Sequence, residues 1–128
     1  MAQIKIYGHA EFLDGRRTQI SEAIHRAARQ TLGLPEHKRF HRFFPLRTED
    51  FVHPADRGLA YLILEIHLFQ GRTPQTLSAF IRAIQQEMEG LAVAADDLEI
   101  TLIEMPAAHW GIRGRLGNEL QLSYEVNT

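Results

Sequence analysis

Cysteine is absent from the 128 residues of this chain, which excludes disulfides, thiolate catalysis and cysteine-based metal sites. Runs of like charge are also absent, because acidic and basic residues are interleaved and the formal net charge is -2. Nucleic acids and anionic membranes are bound through concentrated positive charge. We therefore expect no nucleic acid partner and no membrane partner.

Long hydrophobic runs are missing as well. No apolar stretch approaches the length of a membrane span, and residues 1–5 lack the basic segment and the apolar stretch of a signal peptide. We expect a cytoplasmic location from these two absences. The composition, with 45% hydrophobic and 23% charged residues, is typical of one ordinary globular domain, which we assign to residues 1–128.

Motifs that bind cofactors or metals are scarce too. The glycines from Gly111 to Gly117 lack the preceding strand and the following helix of a nucleotide-binding loop. His37 and His41 have the His-x-x-x-His interval, but they flank a predicted helix-to-strand turn instead of sharing one helix face. We therefore predict no cofactor and no metal site.

The first half of the chain, about residues 1–46, has the pattern of a strand, a helix and a strand. A short alternating segment near the N-terminus predicts the first strand, and apolar residues then recur at helical spacing. We expect this helix to begin at Thr18 as its N-cap and to end at Gly33. Residues 40–44 predict the second strand.

The second half, about residues 59–105, repeats this order. Residues 61–69 predict a strand, and a helix follows with Thr73 as its N-cap and Pro74 at its first position. Alternating leucine and isoleucine residues over 98–102 predict the last strand. A Gly-Arg-Thr run, with one extra arginine in the first half, precedes both helices.

Two β-α-β units predict an α/β (α+β) fold, a four-stranded sheet with both helices on one face, because each parallel pair needs a right-handed crossover. Two helices leave the other face of the sheet to solvent or to another subunit. The odd positions of the strand 61–69 mix apolar and polar residues, which favours a subunit interface. The C-terminal extension alternates over residues 120–126, and we expect it to dock across a subunit boundary.

A family resemblance is carried by this duplicated layout, by Leu32-Gly33-Leu34-Pro35 at the end of the first helix, and by Gly71-Arg72-Thr73 after the third strand. The chain resembles the tautomerase superfamily of the 4-oxalocrotonate tautomerase type, most strongly its malonate semialdehyde decarboxylase-like group. The resemblance implies a homotrimer that moves protons on small oxo acids. It runs from Met1 to about Gly114 and includes His25, Gly33, Pro35, Glu36, Arg39, Arg72 and Trp110.

The resemblance also implies roles for individual residues. The catalytic N-terminal proline of the family, exposed when the initiator methionine is removed, falls on Ala2. The arginine that binds the substrate carboxylate falls on Arg72, and the aromatic residue that lines the pocket falls on Trp110. The decarboxylase aspartate falls on Lys38, and a second pocket arginine falls on Gln70.

The two catalytic candidates each have a structural alternative. A free α-amino group has a pKa of about 7.7 to 8.0, so a partly buried amine on Ala2 is suited to proton transfer near pH 7. The alternative is that Ala2 is simply the first residue of a strand. Arg72 precedes a helix N-terminus and is suited to bind an anion. Its alternative is an exposed loop arginine, as we expect for Arg16 or Arg17.

The remaining candidates for substrate binding are Trp110, Lys38, Arg39 and Arg113. Trp110 lies in a glycine-flanked segment that predicts a loop beside a pocket or a packing contact. Lys38 and Arg39 belong to a basic and aromatic segment that predicts a pocket rim, because one short patch is too little for nucleic-acid stacking. Arg113 either adds to an anion site or is a solvated surface residue.

Two hypotheses of function follow. In the first, the protein is an enzyme that interconverts the keto and enol forms of a small 2-oxo acid, with the Ala2 amine moving the proton and Arg72 holding the carboxylate. In the second, the missing proline and Lys38 mark a catalytically degenerate homotrimer that binds small carboxylates or has a structural role.

Overall fold

The sheet has four strands and is mixed. The computed structural model describes residues 2–128, and its main strands are β1 (Ala2–His9), β2 (His41–Leu46), β3 (Leu62–Phe69) and β4 (Leu98–Met105). The strand order is β2-β1-β3-β4; β1 is parallel to β2, β3 is parallel to β4, and the central pair β1 and β3 is antiparallel. The predicted duplication of a β-α-β unit is confirmed.

Three α-helices are present in residues 2–128, namely α1 (Ala10–Leu13), α2 (Arg17–Leu32) and α3 (Pro74–Glu89). The start of α3 is as predicted, because the Thr73 hydroxyl accepts a hydrogen bond from the Thr76 N–H at 3.2 Å and Pro74 is the first helical residue. The C-cap of α2 is Gly33, whose left-handed φ of 68° suits glycine.

The predicted start of α2 is wrong by two residues. The N-cap is Arg16, and Thr18 lies inside the helix. The reason is the unpredicted short helix α1, which leads the chain through a turn at Gly15, where φ is 76°. The Arg16 carbonyl then accepts the Ile20 N–H at 3.0 Å, so the helical hydrogen bonding already begins at Arg16.

The core lies between the sheet and the two long helices. The even positions of β3 face the helices as predicted, and all four are fully buried: Leu62, Leu64, Ile66 and Leu68. They pack in one cluster with the apolar stripes of both helices, including Ile20 and Ile24 from α2 and Phe80 and Ile84 from α3. Burying each such side chain contributes about 1.5–3 kcal/mol, so this cluster fixes the positions of the strand ends.

A hairpin and an irregular tail follow β4. The hairpin strands are β5 (Gly111–Ile112) and β6 (Arg115–Leu116), joined by Arg113 and Gly114, which both have positive φ as a two-residue turn requires. We call residues 117–128 the tail. No helix within residues 2–128 is long and apolar enough to cross a membrane.

The tail packs on residues of its own chain, and its predicted docking across a subunit boundary stays a prediction. Its apolar residues Leu120, Leu122 and Val126 pack on a small cluster formed by Phe69 and Trp110. The tail begins at Gly117, whose N–H donates a hydrogen bond to the Trp110 carbonyl oxygen at 2.8 Å. A Cβ on Gly117 would collide with the Ala107 carbonyl oxygen. The alternation had predicted which tail residues face protein, but not which surface they cover.

Candidate functional site

One end of the sheet collects the predicted catalytic residues. Ala2 begins β1, lies opposite Leu68 of β3, and is 4% exposed. Arg72 follows three residues after the end of β3, in the connection to α3. The short distance along the chain from Leu68 to Arg72 therefore places Arg72 at the end of the sheet where β1 begins.

The guanidinium of Arg72 is buried without a hydrogen-bond partner. The residue is 6% exposed, and Nε, Nη1 and Nη2 have no hydrogen bond to any group within residues 2–128. Burial lowers the pKa of Arg72, while the charges of Tyr124 and Glu104 act in the opposite direction. An unpaired buried charge destabilises a fold by several kcal/mol. An anion bound at this guanidinium would offset that cost.

The start of α3 adds a second feature that attracts anions. The first N–H groups of a helix lack intrahelical acceptors and carry positive partial charge. In α3 this end follows Arg72 directly in the chain. An anion at the Arg72 guanidinium would therefore also be close to the positive end of the helix dipole.

Trp110 borders the same region. It is 8% exposed, its ring packs edge-on against Phe69 with the centroids 4.9 Å apart, and its Nε1 is buried without a hydrogen-bond partner among the described residues. Packing and an available indole N–H are thus both present. The two alternatives for Trp110, packing and ligand contact, are compatible in this geometry.

A cavity of about 500 Å³ lies on the open face of the sheet, the face opposite the helices, and Trp110 forms part of its wall. Lys5, Arg42 and His67 also line it, so its lining is rich in basic residues. Neither Ala2 nor Arg72 is among its lining residues. Trp110 therefore borders both this cavity and the tail, whereas Arg72 is enclosed on the tail side.

Lys38 and Arg39 lie in the connection between α2 and β2. The parallel register pairs Ile4 with His41, so extending it by two residues brings Arg39 level with Ala2. Arg39 is 3.7 Å from the carboxylate of Glu36. Both basic residues are thus close to the end of the sheet where Ala2 lies, with Arg39 engaged by an acidic neighbour.

Arg113 is the candidate that the structure separates from this group. It is exposed at the turn between β5 and β6, with a φ of 51°. The neighbouring Ile112 packs against the cluster of Phe69 and Trp110. The strand β5 is therefore in contact with the site, whereas Arg113 at the turn is not part of that cluster. The solvated alternative therefore describes Arg113 better than the anion-binding one.

Two histidines of the first half, His25 and His41, have hydrogen-bond partners within the protein. His25 is 2% exposed and its Nε2 is 2.9 Å from the Glu36 carbonyl oxygen. The Nδ1 of His41 is 2.7 Å from the Ser21 hydroxyl, and burial, with His25 and Arg39 nearby, lowers its pKa to about 4. Within residues 2–128 no three His, Asp or Glu side chains form a group that would hold a metal ion.

Tyr124 was not among the residues singled out from the sequence. It is partly buried, packs against the main core, and is close enough to Arg72 for each side chain to shift the pKa of the other. Burial raises the pKa of the Tyr124 hydroxyl, and the positive charge of Arg72 opposes that rise. Only the alternation over residues 120–126 marked this side chain as facing protein.

Known proteins resemble this chain over most of its length. A family model described as "Tautomerase enzyme" matches residues 38–113. A malonate semialdehyde decarboxylase is 21% identical with a TM-score of 0.78, and the match covers 88% of this chain and 92% of that one. A second one, inhibited by 3-bromopropiolate, is 25% identical with a TM-score of 0.71 over 84% and 86% of the two chains.

A fused 4-OT, described as an asymmetric trimer, is 17% identical with a TM-score of 0.81, and the match covers 91% of this chain and 97% of that one. The family model spans more than half of the chain and includes Lys38, Arg39, Arg72 and Trp110. The mixed four-stranded sheet and the two long helices agree with these structures in fold. Malonate semialdehyde decarboxylases and fused 4-OT are thus among the proteins that it resembles, and the chain belongs to the tautomerase enzyme family.

Proposed function

We propose that the protein catalyses keto-enol tautomerisation of a small 2-oxo acid. The observation that carries the proposal is the buried guanidinium of Arg72, which lacks a hydrogen-bond partner and is located at the end of the sheet where Ala2 begins β1. A carboxylate is the anion whose two oxygens match the planar fork of an arginine. Arg72 therefore binds the acid and orients it toward Ala2.

The α-amine of Ala2 acts as the proton carrier in this proposal, once Met1 has been removed. The unprotonated amine takes the proton from the enol hydroxyl, and the resulting ammonium group delivers a proton to C3, so the reaction is an isomerisation with no other reactant. The burial of Ala2 favours the uncharged amine near neutral pH. If Met1 is retained, the amine is displaced by about 3.8 Å and is out of reach.

The other candidates have supporting roles. Trp110 supplies an apolar wall and a free indole N–H to the bound acid, and Lys38 and Arg39 form a basic rim beside Ala2. Arg113 remains a candidate only for attracting anions from solution, since it is exposed at a turn tip.

Binding without turnover is the second candidate function, and Lys38 favours it. The family resemblance implies an aspartate at this position, and a lysine has the opposite charge and no proton-accepting carboxylate. In this version the protein is a catalytically degenerate trimer that holds a small carboxylate on Arg72 or has a structural role. Decarboxylase and hydratase activities, which would use that aspartate, are not part of either proposal.

We also propose that the protein is a homotrimer. The open face of the sheet carries half-buried residues of mixed character, such as Lys5, Tyr7 and Glu65, and Tyr7 stacks on Phe44 with the ring centroids 4.7 Å apart. Two helices leave this face without cover, and a fused 4-OT of the same fold is described as a trimer. Light scattering that shows a stable monomer at micromolar concentration would contradict this proposal.

The experiment that tests the catalytic proposal follows the conversion of the enol of phenylpyruvate to its keto form by ultraviolet absorbance. Intact mass first identifies the preparation from which Met1 has been removed. That preparation should be active but slow, since an alanine amine rotates freely, and Ala2→Pro should be faster because the ring fixes the direction of the nitrogen lone pair. The rate should rise with pH through the pKa of the amine.

The control is the same protein with its α-amine chemically blocked. The blocked form should be inactive toward the enol while still binding the carboxylate at Arg72. Equal turnover by the blocked and free forms would contradict the role of the Ala2 amine. No turnover by either the free form or the Ala2→Pro variant would contradict the catalytic proposal.

A further inference from the structure

The tail covers the Arg72 site at its last three residues. A Cβ on Gly71 would lie 2.8 Å from the side-chain oxygen of Asn127 and 3.4 Å from the carbonyl oxygen of Val126, so the tail touches the backbone next to Arg72. Tyr124 is near enough to shift the pKa of Arg72. Arg72 is thus 6% exposed in a structure in which the tail lies over it.

Two threonine hydroxyls hold the end of the tail. The Thr76 hydroxyl is 2.6 Å from the Thr128 carbonyl oxygen and donates to it, and the Thr73 hydroxyl is 2.9 Å from the same oxygen. This Thr128 oxygen therefore lies at the N-terminus of α3, in the position where a helix end binds anions. We call this pair of contacts the threonine latch.

The tail is the enclosing element that can move at the least cost. Arg72 lies between β3 and α3 in the chain and within electrostatic range of Glu104 in β4, and the backbones of these elements are tied into the sheet or the helix. The tail has no helix or strand after Glu119, and every second residue from 121 to 127 is exposed. Segments with few buried contacts and irregular backbone open locally at low free energy.

We propose that the tail is a strap that closes the Arg72 site and opens at the threonine latch to admit the carboxylate ligand. The proposal rests on the proposed function of Arg72 as the anion-binding residue. A small acid reaches the guanidinium only in the open form, so the fraction of open molecules sets the rate of association. When the tail opens, Leu120, Leu122 and Val126 leave Trp110, which becomes accessible to solvent.

Thr76→Val tests the latch without altering the helix cap. Valine keeps the β-branched shape and the backbone N–H whose hydrogen bond Thr73 accepts. It removes the hydroxyl that bonds Thr128 and that is also 3.0 Å from the Thr73 hydroxyl. Loss of one hydrogen bond should raise the open fraction about fivefold. Thr18→Val is the matched control, since Thr18 is an exposed threonine in the first turn of α2, far along the chain from the tail.

Two measurements are made on the full chain. Acrylamide quenching of Trp110, the single tryptophan, needs no ligand and should be about twice as efficient in Thr76→Val as in the parent protein and in Thr18→Val. Stopped-flow fluorescence with pyruvate as the probe should show association about fivefold faster in Thr76→Val.

The outcomes separate the strap from the proposed function. Unchanged quenching and an unchanged association rate in Thr76→Val would overturn the strap, even if Arg72→Ala abolishes pyruvate binding. Absence of pyruvate binding in the parent protein and in Thr76→Val alike would overturn the proposed function, while the quenching result alone still decides whether the tail opens at the latch.

Discussion

The chain enters its two long helices through similar sequences, Gly15-Arg16-Arg17-Thr18 and Gly71-Arg72-Thr73-Pro74, yet the two arginines end in opposite environments. Arg16 is exposed, donates to the Phe12 carbonyl oxygen at 2.9 Å and has its guanidinium 4.6 Å from the centre of the Phe12 ring. Arg72 is buried and has no hydrogen bond within residues 2–128. The same residue type has intramolecular partners in one half and is buried without a hydrogen bond within the described residues in the other.

The difference arises from what surrounds each arginine. In the first half, the short helix α1 supplies Phe12, whose carbonyl and ring both contact Arg16. In the second half, β3 leads through Gly71 without such a helix, and the tail closes over Arg72. Local sequence therefore sets the approach to a helix, whereas tertiary contacts decide whether its arginine is exposed with a hydrogen-bond partner or buried without one.

Acid should weaken the first half more than the second, and this is the largest stability effect we expect. The pKa of His41 in the folded protein is about 4, below the ordinary value of 6.5, so the unfolded chain binds more protons and stability falls as the pH drops from about 6.5 to 4. This difference in pKa corresponds to about 3 kcal/mol.

The measurement is urea unfolding of the parent protein and of His41→Gln at a series of pH values. The variant should lose less stability over this interval, because glutamine does not titrate. The second half has no such group at the corresponding place, since its helix packs through apolar residues such as Phe80 and Ile84. Parallel curves for the two proteins would show that His41 does not carry the acid sensitivity.

Replacing each arginine by methionine should change stability in opposite directions. Arg72→Met removes an unpaired buried charge and keeps the apolar stem, so we expect the free energy of unfolding to rise by about 2 kcal/mol. Arg16→Met loses one hydrogen bond and one cation-π contact at the surface, and should lower it by about 1 kcal/mol or less. Thermal and urea unfolding of both variants check these signs.

A loss of stability in Arg72→Met similar to that in Arg16→Met would mean that Arg72 is held by its own protein. The contrast between the two helix entries would then disappear, and with it the physical reason to assign Arg72 to a ligand.

The sequence predicted the strand and helix pattern well because hydrophobic periodicity reflects which side of each element meets the core. The even positions of β3 and the Thr73 cap are examples, since one depends on alternation and the other on a local hydrogen bond. Thr18 was assigned wrongly because the four residues of α1, Ala10–Leu13, are too few to show a helical periodicity.

The candidate site was only partly predictable. Arg72 and Trp110 were identified through the family resemblance, but their burial and unpaired nitrogens depend on the tail, whose docking surface no local pattern specifies. Tyr124 and the contact of Thr128 with Thr76 were missed for the same reason, since they bring together residues far apart in the chain.

Calorimetric titration of pyruvate into the parent protein, Arg72→Lys, Arg72→Ala and Arg16→Ala tests the central claim most directly. The parent protein and Arg16→Ala should bind pyruvate equally. Arg72→Ala should bind about 100-fold more weakly, because two charged hydrogen bonds are lost, and Arg72→Lys should fall between them, since an ammonium group lacks the bidentate fork. Equal affinity for Arg72→Ala and the parent protein would contradict the assignment of Arg72 as the carboxylate-binding residue.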